Sequence, residues 1–188
     1  MAIKEDLLFR QVFTLKDGVR VLIRPLIPGD RQALLDLFLP VPPDERRFMR
    51  HDIGNAEVIT GWTEHIDYDK VFPLVAVVGD RIVGDATLHF NTGTARHRAE
   101  MRVFLAKDFR RRGLGSKLSQ ALIDVAKRRD LYMLEVQIVR DLSNDIKAME
   151  KVGFEVQCMY EDYYMLPDGE LRDVVHMILK LRTPEGEF

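Results

Sequence analysis

Cysteine and long apolar runs are what this sequence most obviously lacks. Its 188 residues include a single cysteine, Cys158, so no disulfide can form within the chain. No group of Cys and His has metal-ligand spacing, and no apolar stretch approaches the roughly 18 residues of a membrane span. The first nine residues carry acids where a signal peptide has a basic region. These absences predict a cytoplasmic protein without a metal or a membrane partner.

An excess of charge of either sign is also missing. The chain has 28 Lys and Arg against 30 Asp and Glu, a formal net charge of −2. Proteins that bind nucleic acid through their overall charge normally have a strong basic excess, so we expect no nucleic-acid partner. Basic runs at residues 110–112 and 127–129 keep a nucleic-acid-binding domain as one alternative.

The order of apolar patterns predicts a mixed α/β or α+β fold in one domain. No repeat or linker divides residues 1–188. Alternating or apolar runs predict strands, whereas wider apolar spacings predict helices. The predicted strands cover residues 20–24, 73–78, 82–90, 99–105, 131–139, 154–159 and 174–181. The predicted helices cover residues 29–38, 44–50 and 56–66, a long helix from Leu114, and 143–152 with Gly153 as its C-cap.

The segment with the clearest chemistry runs from the strand at 99–105 through a basic loop into the long helix. Gly113 and Gly115 let the backbone approach a ligand closely, and the first amides of a helix suit a phosphate. A P-loop is excluded because no glycine lies five residues before Gly115. A dinucleotide fingerprint is excluded because Leu118 replaces its third glycine. The plain alternative is a solvated basic turn.

Arg110-x-x-Gly113-x-Gly115, between a strand and an amphipathic helix, resembles the acetyl-CoA signature of the GNAT superfamily of N-acetyltransferases. Two further matches are Glu150-Lys-Val-Gly-Phe154 and Ala99-Glu100, which opens the preceding strand. The resemblance covers roughly residues 20–181. It implies a central mixed, mostly antiparallel sheet of about seven strands with helices on both faces. Residues 21–25 and 44–48 are similar to bacterial protein-lysine acetyltransferases.

The resemblance also implies the reaction and its residues. Acetyl-CoA would donate its acetyl group to a primary amine, a protein lysine or a small molecule, by direct attack on the thioester. Glu100 is the candidate catalytic base, although it could instead pair with a cross-strand arginine, and His89 is a lesser candidate. The predicted cofactor-binding residues lie on the strand, the loop and the later helix: Val103, Phe104, Leu105, Arg110, Arg111, Arg112, Gly113, Leu114, Gly115, Ser116 and Asn144.

Two departures from the family pattern bear on this prediction. Met149 stands where many members have a tyrosine that protonates the leaving thiolate, and methionine has no proton to donate. Asn144 lies nine residues before Gly153, closer than the family's usual eleven. Met149 keeps open a second hypothesis, an acyl-CoA-binding regulatory module without turnover.

The remaining expectations concern the end of the chain. Tyr160, Tyr163 and Tyr164, with neighbouring acids, either line an acceptor pocket or form a strand end and surface loop. Cys158 is expected to pack as a small core residue. The sequence leaves the oligomeric state open, with a homodimer as one possibility.

Overall fold

One sheet of eight strands organises the computed structural model, which describes residues 4–182. The strands are β1 (Gln11–Thr14), β2 (Arg20–Pro25), β3 (Val71–Val78), β4 (Arg81–Phe90), β5 (Arg98–Leu105), β6 (Met133–Val139), β7 (Glu155–Met165) and β8 (Leu171–Lys180). The helices are α1 (Lys4–Leu7), α2 (Arg31–Phe38), α3 (Pro43–Arg46), α4 (Ala56–Glu64), α5 (Leu114–Arg128) and α6 (Ser143–Val152).

The strand order is β1-β2-β3-β4-β5-β6-β8-β7, and the pairing is antiparallel except between β5 and β6. The predicted mixed, mostly antiparallel sheet is therefore confirmed. It has one strand more than the seven expected, because the sequence analysis did not predict β1. Three of the four β1 residues are exposed, so the strand has no apolar alternation to reveal it.

Gly84 shows which helices cover each face of the sheet. A Cβ at this position would lie 2.9 Å from side-chain carbons of both Leu105 and Leu118. Helix α5, which contains Leu118, therefore packs so closely on this face of the sheet that residue 84 has no room for a side chain. Side chains alternate along a strand, so Asp85 lies on the opposite face, together with its cross-strand partner Phe104. The Phe104 ring contacts Phe38 of α2 at 4.9 Å between centroids. Helices thus cover both faces, as predicted.

The tyrosine-rich segment forms part of β7, although the sequence analysis placed it outside the strands. This edge strand is exposed along nearly its whole length, and its register with β8 shifts at two places. Cys158 is consequently exposed, and the prediction that it packs in the core is wrong. The error has a physical reason: the apolar residues of β7 resemble those of a buried strand, but Val156, Met159 and Met165 remain exposed.

Candidate active site

A fork between β5 and β6 forms the centre of the site. Their parallel ladder contains three pairs and ends at Glu100 and Glu135, after which the strands separate. Beyond that point the β5 edge has no ladder partner on the β6 side among residues 4–182. β6 continues to pair with β8 as far as Val139. Unpaired backbone N–H and C=O groups on a strand edge are suited to pairing with an extended ligand.

A cleft of about 870 Å³ opens around this fork. One wall comes from β5 and includes Val103, Phe104 and Leu105, all three predicted to bind the cofactor. The other walls come from β6, the start of α5, the inner side of α6 and the segment from α3 to α4. The cleft is therefore shared by the predicted cofactor strand, by the predicted loop and helix start, and by elements such as the segment from α3 to α4 for which no ligand role was predicted.

The start of α5 lies at one end of the cleft, and its backbone geometry fits a close ligand approach. Gly113 is the N-cap in a left-handed conformation with φ 85°, and no side chain caps the first amides. Gly115 lines the cleft, and a Cβ there would lie 3.4 Å from Leu105. Unpaired amides and the positive end of the helix dipole favour an anion at this position.

Two of the three loop arginines are held by protein partners. Arg110 lines the cleft, donates to the Leu105 carbonyl at 3.2 Å and pairs with Glu45 of α3 at 2.7 Å. Arg112 pairs with Asp17 and lies over the Phe109 ring. Arg111 is exposed, has φ 59° and lines a second, smaller cavity of about 250 Å³ together with Arg112 and Gly113.

The remaining predicted cofactor residues differ in which of their groups can reach a ligand in the cleft. The Leu114 side chain is fully buried, so only its backbone amide can face a ligand. Ser116 is exposed in the first turn of α5. Asn144 is exposed in the first turn of α6 and does not belong to the cleft lining, whereas Asp145 and Met149 of the same helix do.

Glu100 lies at the closed end of the fork between two arginines. Arg50 approaches both of its carboxylate oxygens at 2.7 Å, and Arg102 donates to both at 3.1 Å. Its side chain is 17% exposed, so a solute in the cleft can still reach it. The sequence is compatible with either a base or an arginine partner at this position, and in the structure Glu100 pairs with two arginines.

His89 lies directly across from Glu100 on β4. Its Nε2 is 2.9 Å from the Thr87 hydroxyl. Burial, and then the nearby Arg102 charge, lower the pKa of His89 to about 4. The imidazole is therefore neutral at neutral pH and a weak base.

Arg50, Gln137 and Tyr164 complete this end of the cleft, and the sequence analysis predicted only the tyrosine. Arg50 donates to Gln137 at 2.8 Å, and the Tyr164 hydroxyl donates to the same amide oxygen at 2.9 Å. The Arg50 guanidinium also lies 5.4 Å from the Tyr164 ring centroid. Tyr160 and Tyr163 stack on each other on the exposed edge and do not line the cleft. Of the tyrosine cluster, only Tyr164 contributes to the site.

The fold and the fork define the class of protein. The family described as "Acetyltransferase (GNAT) family" matches residues 32–154. The chain therefore belongs to the GNAT acetyltransferase family and is an acyltransferase that acts on amines. A search of curated proteins finds no match.

Solved structures share the fold at low sequence identity. The GNAT domain of S. lividans PAT is 18% identical, with a TM-score of 0.75 over 91% of this chain and 96% of that chain. The ribosomal-protein-alanine N-acetyltransferase from Brucella melitensis is 24% identical, with a TM-score of 0.72 over 84% and 98%. A spermidine N-acetyltransferase chimera that includes the Vibrio cholerae enzyme is 15% identical, with a TM-score of 0.72 over 86% and 95%.

Neither a metal site nor a membrane helix is found in the part of the chain that the structure describes. No group of three or more His, Cys, Asp or Glu side chains could hold a metal ion there. None of the helices between residues 4 and 182 is both long and apolar enough to cross a bilayer.

Proposed function

We propose that this protein transfers the acetyl group of acetyl-CoA to a primary amine, with a protein lysine as the acceptor. The observation that carries the proposal is the fork between β5 and β6, with the uncapped start of α5 at one end and Glu100 at the other. Acetyl-CoA supplies an activated acetyl thioester. The residues of the chain must bind it, exclude water and manage the protons of the amine.

The cofactor end of the cleft fits a diphosphate and an extended arm. The amides of Leu114, Gly115 and Ser116 would face the diphosphate, where the absence of a Cβ at Gly115 permits close approach. The free β5 edge at Val103, Phe104 and Leu105 would pair with the amide-containing arm. A backbone N–H on that edge would polarise the thioester carbonyl, as donors do at oxyanion sites.

The basic loop would surround the diphosphate. Its three arginines, Arg110, Arg111 and Arg112, would add positive charge, and the left-handed Gly113 would turn the backbone around the ligand. Arg110 can exchange its bond to Glu45 for a bond to phosphate, because both groups line the same cleft. Asn144 remains a predicted coenzyme A contact, although it does not line the cleft.

Glu100 is the proposed catalytic base. An alkylammonium has a pKa of about 10.4, so it must lose a proton before its nitrogen can attack. Glu100 can accept that proton from an amine at the closed end of the fork if the amine displaces one of the arginine bonds. Arg50 and Arg102 would hold the carboxylate in place, because each donates two hydrogen bonds or ion contacts to it.

The charges in the cleft favour a lysine over a polyamine as the acceptor. Glu100 and Glu45 are paired with arginines, and Asp67 is paired with Lys70 at 3.0 Å. The other acids that line the cleft, Asp44, Asp85 and Asp145, lie on three different elements, α3, β4 and α6. Glu161 and Asp162 lie on the exposed strand β7 and not in the cleft. A polycation would favour a dense group of unpaired acids, so this balance supports an acceptor with one ammonium group.

An acceptor panel tests the proposal. The protein is incubated with acetyl-CoA and, separately, with lysine peptides, polyamines, amino acids, aminoglycosides and a cell lysate. Release of the coenzyme A thiol together with lysine acetylation, detected by mass spectrometry, is expected. Rapid turnover of one small amine without lysine acetylation would leave an acetyltransferase of small molecules. Binding of acetyl-CoA without any turnover would favour the regulatory module.

Replacing Glu100 by Gln tests the base. We expect turnover to fall roughly 10²-fold at neutral pH, with a smaller loss at high pH where free amine is available, and little change in coenzyme A affinity. Glu135→Gln is the matched control, because Glu135 is the β6 partner of Glu100 in the ladder and pairs with Arg98. A wild-type rate in the Glu100→Gln protein would exclude Glu100 as the base.

A further inference from the structure

The second cavity, of about 250 Å³, lies beside the basic loop that precedes α5. Its lining comes from that loop and from the turn between β1 and β2, and consists of Lys16, Asp17, Arg111, Arg112 and Gly113. None of these residues lines the cleft, whereas Arg110 and Gly115, on either side of them in the same segment, do. The loop therefore separates two cavities, and the turn between β1 and β2 has had no role so far.

The fold brings the hairpin of β1 and β2 to this loop. Because β1 to β5 are each antiparallel to the next strand, β1 and β5 run in the same direction and end at the same end of the sheet. The hairpin lies on one side of β5, and β6 lies on the other. Asp17 in the turn pairs with Arg112, and the Lys117 ammonium of α5 lies 5.8 Å from the centroid of the Phe13 ring of β1. The hairpin is therefore docked beside the start of α5, across β5 from the fork.

The second cavity carries positive charge, although the chain as a whole has a net charge of −2. Three of the lining side chains are basic and one is acidic. Arg112 neutralises that acid, Asp17, and also donates to the Asp108 carbonyl at 3.1 Å. Lys16 and Arg111 are exposed, and within residues 4–182 neither has a hydrogen bond or an ion pair. Two cations without a protein partner thus line one small cavity, which favours an anion with more than one negative charge.

This cavity adjoins the place where the proposed mechanism puts the diphosphate. Gly113 lines the cavity, and the next residues, Leu114, Gly115 and Ser116, supply the amides assigned to the diphosphate. A Cβ at Gly113 would have no atom within 4 Å, so the space beside this residue is open. In coenzyme A the arm and the nucleotide leave the diphosphate in opposite directions, and the ribose carries a further phosphate on its 3′ oxygen. With the arm on the free edge of β5, the nucleotide leaves the loop on the hairpin side.

We propose that the hairpin of β1 and β2 completes the cofactor site, and that Lys16, together with Arg111, binds the 3′-phosphate of coenzyme A. This inference rests on the proposed function. A phosphate monoester carries a charge of about −1.5 to −2 at neutral pH and has three acceptor oxygens. The lysine ammonium acts on it as a point charge, and the arginine guanidinium can donate two parallel hydrogen bonds. The two residues make the protein select coenzyme A over forms that lack the 3′-phosphate.

Calorimetric titration with coenzyme A and with 3′-dephospho-coenzyme A tests this assignment. The wild-type protein should bind coenzyme A roughly 5- to 10-fold more tightly, and the preference should grow at low salt. Lys16→Gln should lower the affinity for coenzyme A about 3- to 5-fold and leave that for the dephospho form unchanged. A double variant that also carries Arg111→Gln should remove the preference. Lys107→Gln is the matched control, because Lys107 is exposed before the same loop and lines neither cavity.

The titrations separate a failure of this inference from a failure of the proposed function. Equal wild-type affinities for the two ligands would overturn the role of Lys16 and leave the acetyltransferase intact. An equal loss for both ligands in Lys16→Gln would overturn it too, because the lysine would then act on the diphosphate. If neither ligand binds, the use of acetyl-CoA is contradicted, and this inference with it.

Steady-state kinetics give a second readout. Because the 3′-phosphate is remote from the reacting thioester, Lys16→Gln should raise the KM for acetyl-CoA about 3- to 5-fold and leave kcat unchanged. A lower kcat with an unchanged KM would contradict a role confined to cofactor binding.

Inorganic phosphate distinguishes a separate occupant of the cavity from the 3′-phosphate. Its binding, followed by phosphorus-31 NMR, should be abolished by saturating coenzyme A and retained with saturating 3′-dephospho-coenzyme A, which leaves the cavity open. Phosphate that stays bound beside coenzyme A, and is lost only in the double variant, would show that the cavity serves a separate phosphate. That result would overturn the proposal.

Discussion

The two ends of the cleft are built in different ways. The cofactor end comes from one continuous stretch, the end of β5, the basic loop and the start of α5. The end around Arg50, Glu100 and Gln137, which we call the acceptor end after its proposed role, is assembled from distant segments. Arg50 contacts Glu100 and Gln137, which are 50 and 87 residues away. The cofactor end therefore depends on local backbone geometry, whereas the acceptor end depends on the packing of the whole sheet.

This difference explains what the sequence could predict. The strand, the loop and the left-handed Gly113 follow from local residue types, and Gly153 caps α6 with φ 107° as predicted. Met149 lines the cleft, so its alignment with the family tyrosine also identified a residue of the site.

The acceptor end could not be predicted to the same extent. Arg50 follows a short helix with no apolar periodicity, and nothing local shows that it reaches β5. Asp85 lies on the cleft wall opposite Phe104, and its sequence context is that of an ordinary polar residue in a half-exposed strand. Its surroundings are apolar because helix α2 covers this wall. The prediction for Cys158 was wrong for a related reason, because the strand that contains it is exposed along nearly its whole length.

The largest effect is expected from Gly115→Glu, which breaks the cofactor end alone. Bulk and negative charge would occupy the place where the diphosphate approaches, so coenzyme A affinity should fall by more than about 10²-fold. Gly115→Ala is the matched control. Its Cβ would meet only a side-chain carbon of Leu105 at 3.4 Å, so a small loss is expected. Calorimetric titration measures both, and an unchanged affinity in a folded Gly115→Glu protein would contradict the cofactor assignment.

The cleft wall opposite Phe104 should lower the stability of the fold, because it holds the carboxyl group of Asp85. Burial raises the pKa of Asp85 in the folded protein to about 7, from an ordinary value of 3.8, so the folded protein binds more protons than the unfolded chain between these values. Stability contributed by this site therefore falls as the pH rises from about 4 to about 7. Asp85→Asn should be more stable than wild type at pH 8 by up to about 4 kcal/mol, with the difference vanishing below pH 4. Urea unfolding at several pH values measures this, and a pH-independent difference would contradict the burial of an unpaired carboxyl.

The smallest effect is expected where the two ends meet. Glu45 belongs to α3, yet it holds Arg110 of the cofactor loop at 2.7 Å. Both side chains are about one-third exposed, and such pairs contribute roughly 0 to 1 kcal/mol. If Arg110 exchanges Glu45 for phosphate, Glu45→Gln removes a competitor, and coenzyme A affinity should rise by up to about 5-fold at low salt. Asp44→Asn, one residue earlier in the same helix, should have less effect because Asp44 has no ion pair with Arg110. A weaker coenzyme A affinity in Glu45→Gln would show instead that Glu45 positions Arg110 for the cofactor. Glu45 would then assist cofactor binding and would not compete with the phosphate for Arg110.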